Sequence, residues 1–151
     1  MSRAFVKEDD DAPEEFPERL VSSAPNLVTA EGLAAIEAEI ARLEDELARA
    51  GEDRSARAGL ARDLRYWNAR RGSAQVMPAP EDNEIVRFGA TVAIDRKDGR
   101  RQVFRIVGED EADPERGTLS HVSPLAQALM GKGIGDVVRV AGGDAEIVAI
   151  S

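Results

Sequence analysis

Two adjacent carboxylates, Glu52 and Asp53, have residue types and a position that could serve metal chemistry. Carboxylates are hard oxygen ligands for Mg²⁺, and an ion held in this way can activate a water molecule. The pair follows Gly51, which is typical of the end of a helix, and precedes a second predicted helix. The helix dipole alone also favours acids at this point. A metal contact and a purely structural role are therefore both open for this pair.

A second group of acids consists of Glu109, Asp110, Glu111 and Asp113. Their spacing does not match an EF-hand loop, and no bidentate glutamate closes the group. We expect an exposed acidic loop here and no calcium site.

The remaining chemistry-bearing residues are few. His121 is the only histidine, and the chain has no cysteine, so a Cys-based zinc site and a thiolate nucleophile are excluded. The glycines after residue 107 form no dinucleotide-binding motif. We expect His121 to be structural, and we expect the protein to be no enzyme and to have neither a cofactor nor a metal ion of its own.

Composition and charge narrow the function classes. The net charge of -9 opposes general or sequence-specific DNA binding, which requires clustered Lys and Arg. Aromatic residues make up only 4% of the chain, so any core must be aliphatic and modest. No run approaches the roughly 18 apolar residues of a membrane span, and the N-terminus has no apolar signal core. We expect a cytoplasmic protein without membrane contact.

The first 26 residues are predicted to be a disordered acidic tail. The run Glu8–Asp11 is followed by Pro13 and Pro17, and such a segment cannot bury enough apolar surface to offset its ordering entropy. A short linear motif around Phe5 and Val6 is the alternative interpretation.

Residues 27–76 are predicted to be an antiparallel helical hairpin. Thr29 has the type and position of a helix N-cap. A first seam with spacings of three and four residues is typical of a helix that packs lengthwise on a partner; it comprises Leu33, Ile36, Ile40, Leu43, Leu47 and Ala50. It is about 26 Å long at roughly 1.5 Å per residue.

A second seam follows Gly51 and comprises Leu60, Leu64, Trp67, Arg71 and Ala74. Residues 29–50 contain six acids and two arginines, a net charge of -4, whereas residues 53–71 contain six arginines and two acids, a net charge of +4. The short connection and the opposite charges favour two helices that fold back on each other in a monomer.

Residues 77–83 contain Pro78 and Pro80 and are predicted to be a linker. Residues 84–151 then change to the alternating period of strands. The predicted elements are a strand over Val86–Ile94, a turn at Asp98-Gly99, a strand over Val103–Val107, a helix over Pro124–Met130, and strands over Val137–Val140 and Ala145–Ile150. The fold class is therefore α+β, a helical hairpin followed by a small β-rich domain with one short helix.

Several motifs of this second part resemble the carboxy-terminal domain of the GreA/GreB transcription factors. They occur in the family's order and at matching separations: Phe88-Gly89-Ala90-Thr91-Val92, Arg105-Ile106-Val107-Gly108-Glu109, Ser123-Pro124-Leu125-Ala126-Gln127 and Gly135-Asp136-Val137-Val138. The resemblance covers residues 84–151, and the hairpin over residues 27–76 matches in placement and less in sequence.

This resemblance implies a domain like FK506-binding protein that docks on RNA polymerase, with Ser123 and Pro124 in the contact region. It also implies that the hairpin enters the secondary channel of the polymerase. In the family, acids at the hairpin tip help to hold a second Mg²⁺ of the polymerase, which then cleaves its own backtracked transcript. Glu52 and Asp53 occupy that tip here.

Two departures from the family pattern favour weak or no stimulation of cleavage. The family tip has the pattern Gly-Asp-x-x-Glu-Asn, and in this chain Ala56 stands where the second acid belongs. The hairpin is also several turns shorter per arm than in the cleavage factors. We therefore expect an RNA polymerase-binding regulator of elongation, and a genuine transcript-cleavage factor is the alternative. With its short hairpin, the chain is similar also to the family relative called regulator of nucleoside diphosphate kinase.

An unrelated alternative is a peptidyl-prolyl isomerase, which the fold alone suggests. Such an enzyme needs an aromatic-lined pocket, and the second part offers only Phe88 and Phe104. Fold does not carry function by itself, so this alternative is remote.

Overall fold

The first helix, α1, spans Ala30–Arg49 and begins where the sequence places a capping threonine. The hydroxyl of Thr29 accepts a hydrogen bond from the Gly32 amide at 2.9 Å, and its carbonyl accepts one from the Leu33 amide at 3.0 Å. The predicted N-cap is confirmed.

The structure is a computed structural model, and it describes residues 16–151.

The second helix, α2, spans Arg54–Ser73, and residues 50–53 join it to α1. Gly51 has a φ of 62°, a left-handed conformation that favours glycine and lets the chain reverse. Residues of both helices line one groove, so the two helices lie side by side as an antiparallel hairpin.

The predicted seam of α1 is confirmed. Ile36, Ile40 and Leu43 are each only 2% exposed, and Leu33, Leu47 and Ala50 are half-buried.

The seam predicted for α2 is wrong at one position. Leu60, Leu64 and Trp67 are half-buried, but Arg71 is exposed and Arg70 is buried instead. The reason is that α2 has few apolar residues, so the apolar spacing alone fixes its buried face poorly near its end.

Two strands that the sequence analysis missed lie at the base of the hairpin. Strand β1, Leu27–Val28, pairs in parallel with strand β2, Gln75–Val76. The Asn26 carbonyl accepts a hydrogen bond from the Gln75 amide at 2.8 Å, and the Asn26 side chain donates to the Ser73 hydroxyl at 3.1 Å. Each strand has two residues, which is too short to produce a periodic signal.

A five-stranded sheet follows, with the strand order β5-β4-β3-β7-β6. Its strands are β3 (Thr91–Arg96), β4 (Arg101–Val107), β5 (Thr118–Ser120), β6 (Val137–Val140) and β7 (Gly143–Ile150). Strand β5 runs parallel to β4, and the other neighbouring pairs are antiparallel. A 3₁₀ turn, Pro114–Arg116, precedes β5, and a short helix α3, Pro124–Leu129, follows it. The α+β class is confirmed.

The first predicted strand is shorter than expected. Val86, Phe88 and Ala90 are buried, as their alternation predicts, but β3 starts only at Thr91. Gly89 has a φ of 88°, and the Ala90 amide closes a turn on the Arg87 carbonyl at 3.0 Å. The turn interrupts the extended backbone while the side chains still reach the core.

The core of the β-rich domain is aliphatic, as the composition predicts. Among the buried residues of this core, Phe88 is the only aromatic one. The core consists of Val86, Phe88, Ala90, Val92, Ile94, Ile106, Leu119, Ala126, Leu129, Val138, Ala145, Ile147 and Ile150.

The described chain divides into two compact units. One contains residues 16–21 and 37–72, and the other contains residues 22–36 and 73–151. None of the described helices is both long and apolar enough to cross a membrane.

Part of the predicted disordered tail has defined contacts. Arg19 packs on Tyr66 of α2, and Glu18 pairs with Arg65. Such charged contacts across 47 positions leave no periodic signal in the sequence. Residues 1–15, including Phe5, Val6 and the acidic run, lie outside the described residues, and the limits proposed for the tail, hairpin and linker stay a prediction.

Candidate functional site

The tip of the hairpin places both predicted carboxylates at the surface. Glu52 and Asp53 are exposed, and Asp53 is the N-cap of α2. Its Oδ1 accepts a hydrogen bond from the Ala56 amide at 3.1 Å, and its carbonyl accepts one from the Arg57 amide at 3.0 Å. One oxygen of the Asp53 carboxylate is therefore engaged in capping.

A guanidinium closes the same turn. Arg57 donates to the carbonyl of Gly51 at 3.2 Å and to the carbonyl of Leu47 at 3.4 Å. These two bonds satisfy carbonyls at the end of α1. Among residues 16–151, no three His, Cys, Asp or Glu side chains cluster as a metal site would require. The tip therefore has no ligand set of its own for a metal ion among the described residues, and its carboxylate oxygens can only contact an ion that another molecule holds.

The second predicted site, Ser123 and Pro124, forms the start of α3. The Ser123 hydroxyl accepts a hydrogen bond from the Ala126 amide at 3.3 Å, and Pro124 occupies the first helical position. Both features fix the helix start, because proline lacks an amide that would need a partner there. Pro124 itself is exposed.

A groove of about 520 Å³ adjoins this helix start. Its apolar part is formed mainly by leucine, valine and alanine, and two arginines flank it; the lining residues are Arg96, Leu119, Ser123, Pro124, Leu125, Arg139, Val140 and Ala141. Arg96 is fixed by a hydrogen bond to Gln102 Oε1 at 2.9 Å, and Arg139 is largely exposed and 3.4 Å from Asp144. An apolar groove whose lining includes two arginines suits a protein surface that carries a carboxylate.

The acidic loop contains a structural anchor, Glu111, whose role the sequence analysis missed. The loop was expected to be exposed, but Glu109, Asp110, Glu111 and Asp113 are half-buried. The Glu111 carboxylate accepts three hydrogen bonds: from the Thr29 amide at 2.9 Å, from the Gly108 amide at 3.1 Å, and from the Thr29 hydroxyl. Glu111 therefore ties the first turn of α1 to the loop after β4.

Two glycines leave room for this anchor. A β-carbon at Gly32 would overlap the carboxylate of Glu111, and one at Gly108 would lie 2.5 Å from the Leu27 carbonyl oxygen.

An ion pair also forms at the first turn of α1, where the Glu31 carboxylate lies 3.9 Å from the Arg105 guanidinium. A hydrogen bond from its own backbone amide lowers the pKa of Glu31, and the positive charge of Arg105 lowers it further. Glu31 is therefore ionised at neutral pH. Glu31, in the first turn of α1, thus has Arg105 as its partner.

His121 is half-buried, and its ring meets Phe88 edge to face at a centroid distance of 5.6 Å. Phe88 also lines a second groove of about 590 Å³, whose other lining residues are aliphatic, proline, methionine or charged. A prolyl isomerase pocket would need more aromatic surface, so this described groove gives that alternative no support.

Comparison with known proteins connects this arrangement to a family. The model of the family "Transcription elongation factor, GreA/GreB, C-term" matches residues 81–151, which contain the sheet, α3 and the groove beside it. The transcription elongation factor GreA of Desulfovibrio desulfuricans is 32% identical over 134 residues, which cover 75% of this chain and 83% of that protein. The chain belongs to the GreA/GreB family.

Another GreA relative matches a shorter stretch of the chain. The GreA of Methylobacterium nodulans is 49% identical over 71 residues, 44% of this chain and 45% of that protein, so the chain spans less than half the length of this relative. The crystal structure of GreA factor homolog 1 from Thermus thermophilus covers 85% of this chain and 99% of that one, with 19% identity and a TM-score of 0.42. The family assignment rests on the sequence relatives.

Proposed function

We propose that this GreA/GreB protein binds RNA polymerase and regulates transcription elongation, with its β-rich domain as the docking part. One observation carries the proposal: the family match coincides with the domain that presents Ser123, Pro124 and the arginine-flanked groove. This domain is proposed to be like FK506-binding protein, and the protein is proposed to act in the cytoplasm as a monomer with no catalytic site of its own.

The hairpin is proposed to enter the secondary channel of the polymerase without efficient stimulation of transcript cleavage. Each helix has 20 residues, a length of about 30 Å. Asp53 already caps α2, and Ala56 brings no carboxylate to the tip. Two-metal chemistry needs the ion and the attacking water fixed together, and this tip has only Glu52 and Asp53 to offer the Mg²⁺ of the polymerase.

Binding of the labelled full-length chain to core RNA polymerase tests the docking proposal. Arg139→Glu reverses the charge at the groove, and we expect the affinity to fall at least about tenfold, or about 1.4 kcal/mol. Arg116→Glu is the matched control, because Arg116 is exposed on the 3₁₀ turn outside the groove. Ser123→Asp is a second probe that keeps an N-capping side chain. Equal affinities for all three variants and the wild type would place docking elsewhere.

A further inference from the structure

Residues 16–21 lie against α2 and form no helix or strand, and we call this segment the strap. Phe16 packs over Gly59, and a β-carbon added at Gly59 would lie 3.7 Å from the Phe16 ring. The Arg62 guanidinium lies 5.2 Å from the centre of the same ring. Two residues on, the Glu18 carboxylate accepts hydrogen bonds from Arg65 Nε at 2.9 and 3.0 Å. The strap therefore contacts α2 over more than one helical turn.

The next residue continues these contacts. The Arg19 guanidinium stacks 3.8 Å above the Tyr66 ring centre and lies 3.5 Å from Asp63. Tyr66 in turn meets Trp67 edge to face at 5.1 Å. Cation–π and ion-pair contacts thus hold this half of the strap.

The chemistry of these contacts makes the strap weakly held. Leu20 is 95% exposed and Val21 is 48% exposed, so the apolar side chains at the end of the strap bury little surface. The side chains of Glu18 and Arg65 are both more than half exposed, and exposed ion pairs contribute little and are screened by salt. Phe16 is the only aromatic side chain of the strap, while six residues must be ordered.

We propose that the strap is a reversible, charge-held cover on α2 that contacts and partly neutralises a basic and aromatic face formed by Arg62, Arg65 and Tyr66. In the closed state Glu18 neutralises Arg65, and Arg19 occupies the face of Tyr66. Opening frees these groups of α2 for a partner with an anionic surface. This inference does not depend on the polymerase.

A fluorescence experiment on the full-length chain tests the proposal. The chain has no cysteine and a single tryptophan, so Leu20→Cys labelled with bimane reports its distance from Trp67, which quenches bimane at short range. Trp67→Phe, with its helical content checked by circular dichroism, gives the unquenched reference. We expect quenching in about 0.01 M salt and its loss in about 1 M salt, as the screening length falls from roughly 30 to roughly 3 Å.

Charge reversal makes the test specific. Glu18→Arg should raise the emission to the reference level, and the double variant Glu18→Arg/Arg65→Glu should restore quenching. Glu44→Arg, the same charge change at an exposed position of α1, should leave the quenching intact. The proposal is overturned if the wild type is unquenched at low salt, if neither salt nor Glu18→Arg changes the emission, or if the double variant stays unquenched.

Discussion

Removal of the Glu111 carboxylate should destabilise the fold far more than removal of any exposed acid. In Glu111→Ala the amides of Thr29 and Gly108 lose their acceptor, and Thr29 is only 3% exposed. Each buried donor left without a partner costs about 1–3 kcal/mol. Because Glu111 is half-buried and water can reach part of the site, we expect a loss of about 3 kcal/mol in the free energy of unfolding.

Urea unfolding followed by circular dichroism measures this loss, and amide hydrogen exchange at Thr29 and Gly108 localises it. Glu115→Ala is the control, since Glu115 is exposed on the 3₁₀ turn. Equal stability of the two variants, or unchanged exchange at both amides, would refute the anchoring role of Glu111.

A pair of glycine substitutions tests the same anchor from the helix side. Gly→Ala inside a helix normally stabilises by about 1 kcal/mol, and Gly72→Ala should do so because nothing lies within 4 Å of the new β-carbon. Gly32→Ala should have the opposite sign, since the new methyl displaces the Glu111 carboxylate and breaks its hydrogen bonds. Stabilisation by both substitutions would contradict this reasoning.

Three further outcomes follow from the hairpin and the strap. Leu43→Asp places an unpaired charge at a site only 2% exposed, and thermal unfolding should show a loss of about 4 kcal/mol in stability. The control Leu43→Met should cost under about 1.5 kcal/mol. An unchanged melting curve for Leu43→Asp would mean that Leu43 does not lie in the buried seam. Asp53→Ala should cost about 1 kcal/mol through the lost cap and Asp53→Asn almost nothing, and equal losses in urea unfolding would argue against capping. The hydrogen bond from Arg65 lowers the pKa of Glu18. Desolvation opposes this shift, and the positive charges of Arg65 and Arg62 add to it. Strap closure should therefore persist at neutral pH and be lost as the pH falls through that lowered pKa, which an acid titration of the bimane emission would show; a flat titration that matches Arg65→Gln would contradict it.

The helical part of the fold could be predicted because its signals are local. Thr29 caps α1 three residues before its partner amide, and the seam from Leu33 to Ala50 repeats over several turns. The buried face near the end of α2 could not be predicted in the same way. Arg70 and Arg71 are identical in type, so the sequence gives no reason to bury one and expose the other.

The anchor and the strap depend on contacts between distant residues. Glu111 and Thr29 are 82 positions apart, and Glu18 and Arg65 are 47 positions apart. An acid in a loop looks the same in the sequence whether it faces water or accepts three hydrogen bonds. The two carboxylates of the tip could be located from Gly51 and the helix start, whereas the capping bond from Ala56 to Asp53 needed the structure.

Transcript cleavage in a backtracked RNA polymerase complex tests the central proposal most directly. The measurement compares the cleavage rate without added factor, with the wild-type chain, and with Glu52→Ala/Asp53→Asn, in which asparagine keeps the cap of α2. We expect the wild type to leave the rate near its basal value, and to slow the cleavage stimulated by an added GreA as its own concentration rises. A large stimulation by the wild type that the double variant abolishes would contradict the account and make this protein a cleavage factor.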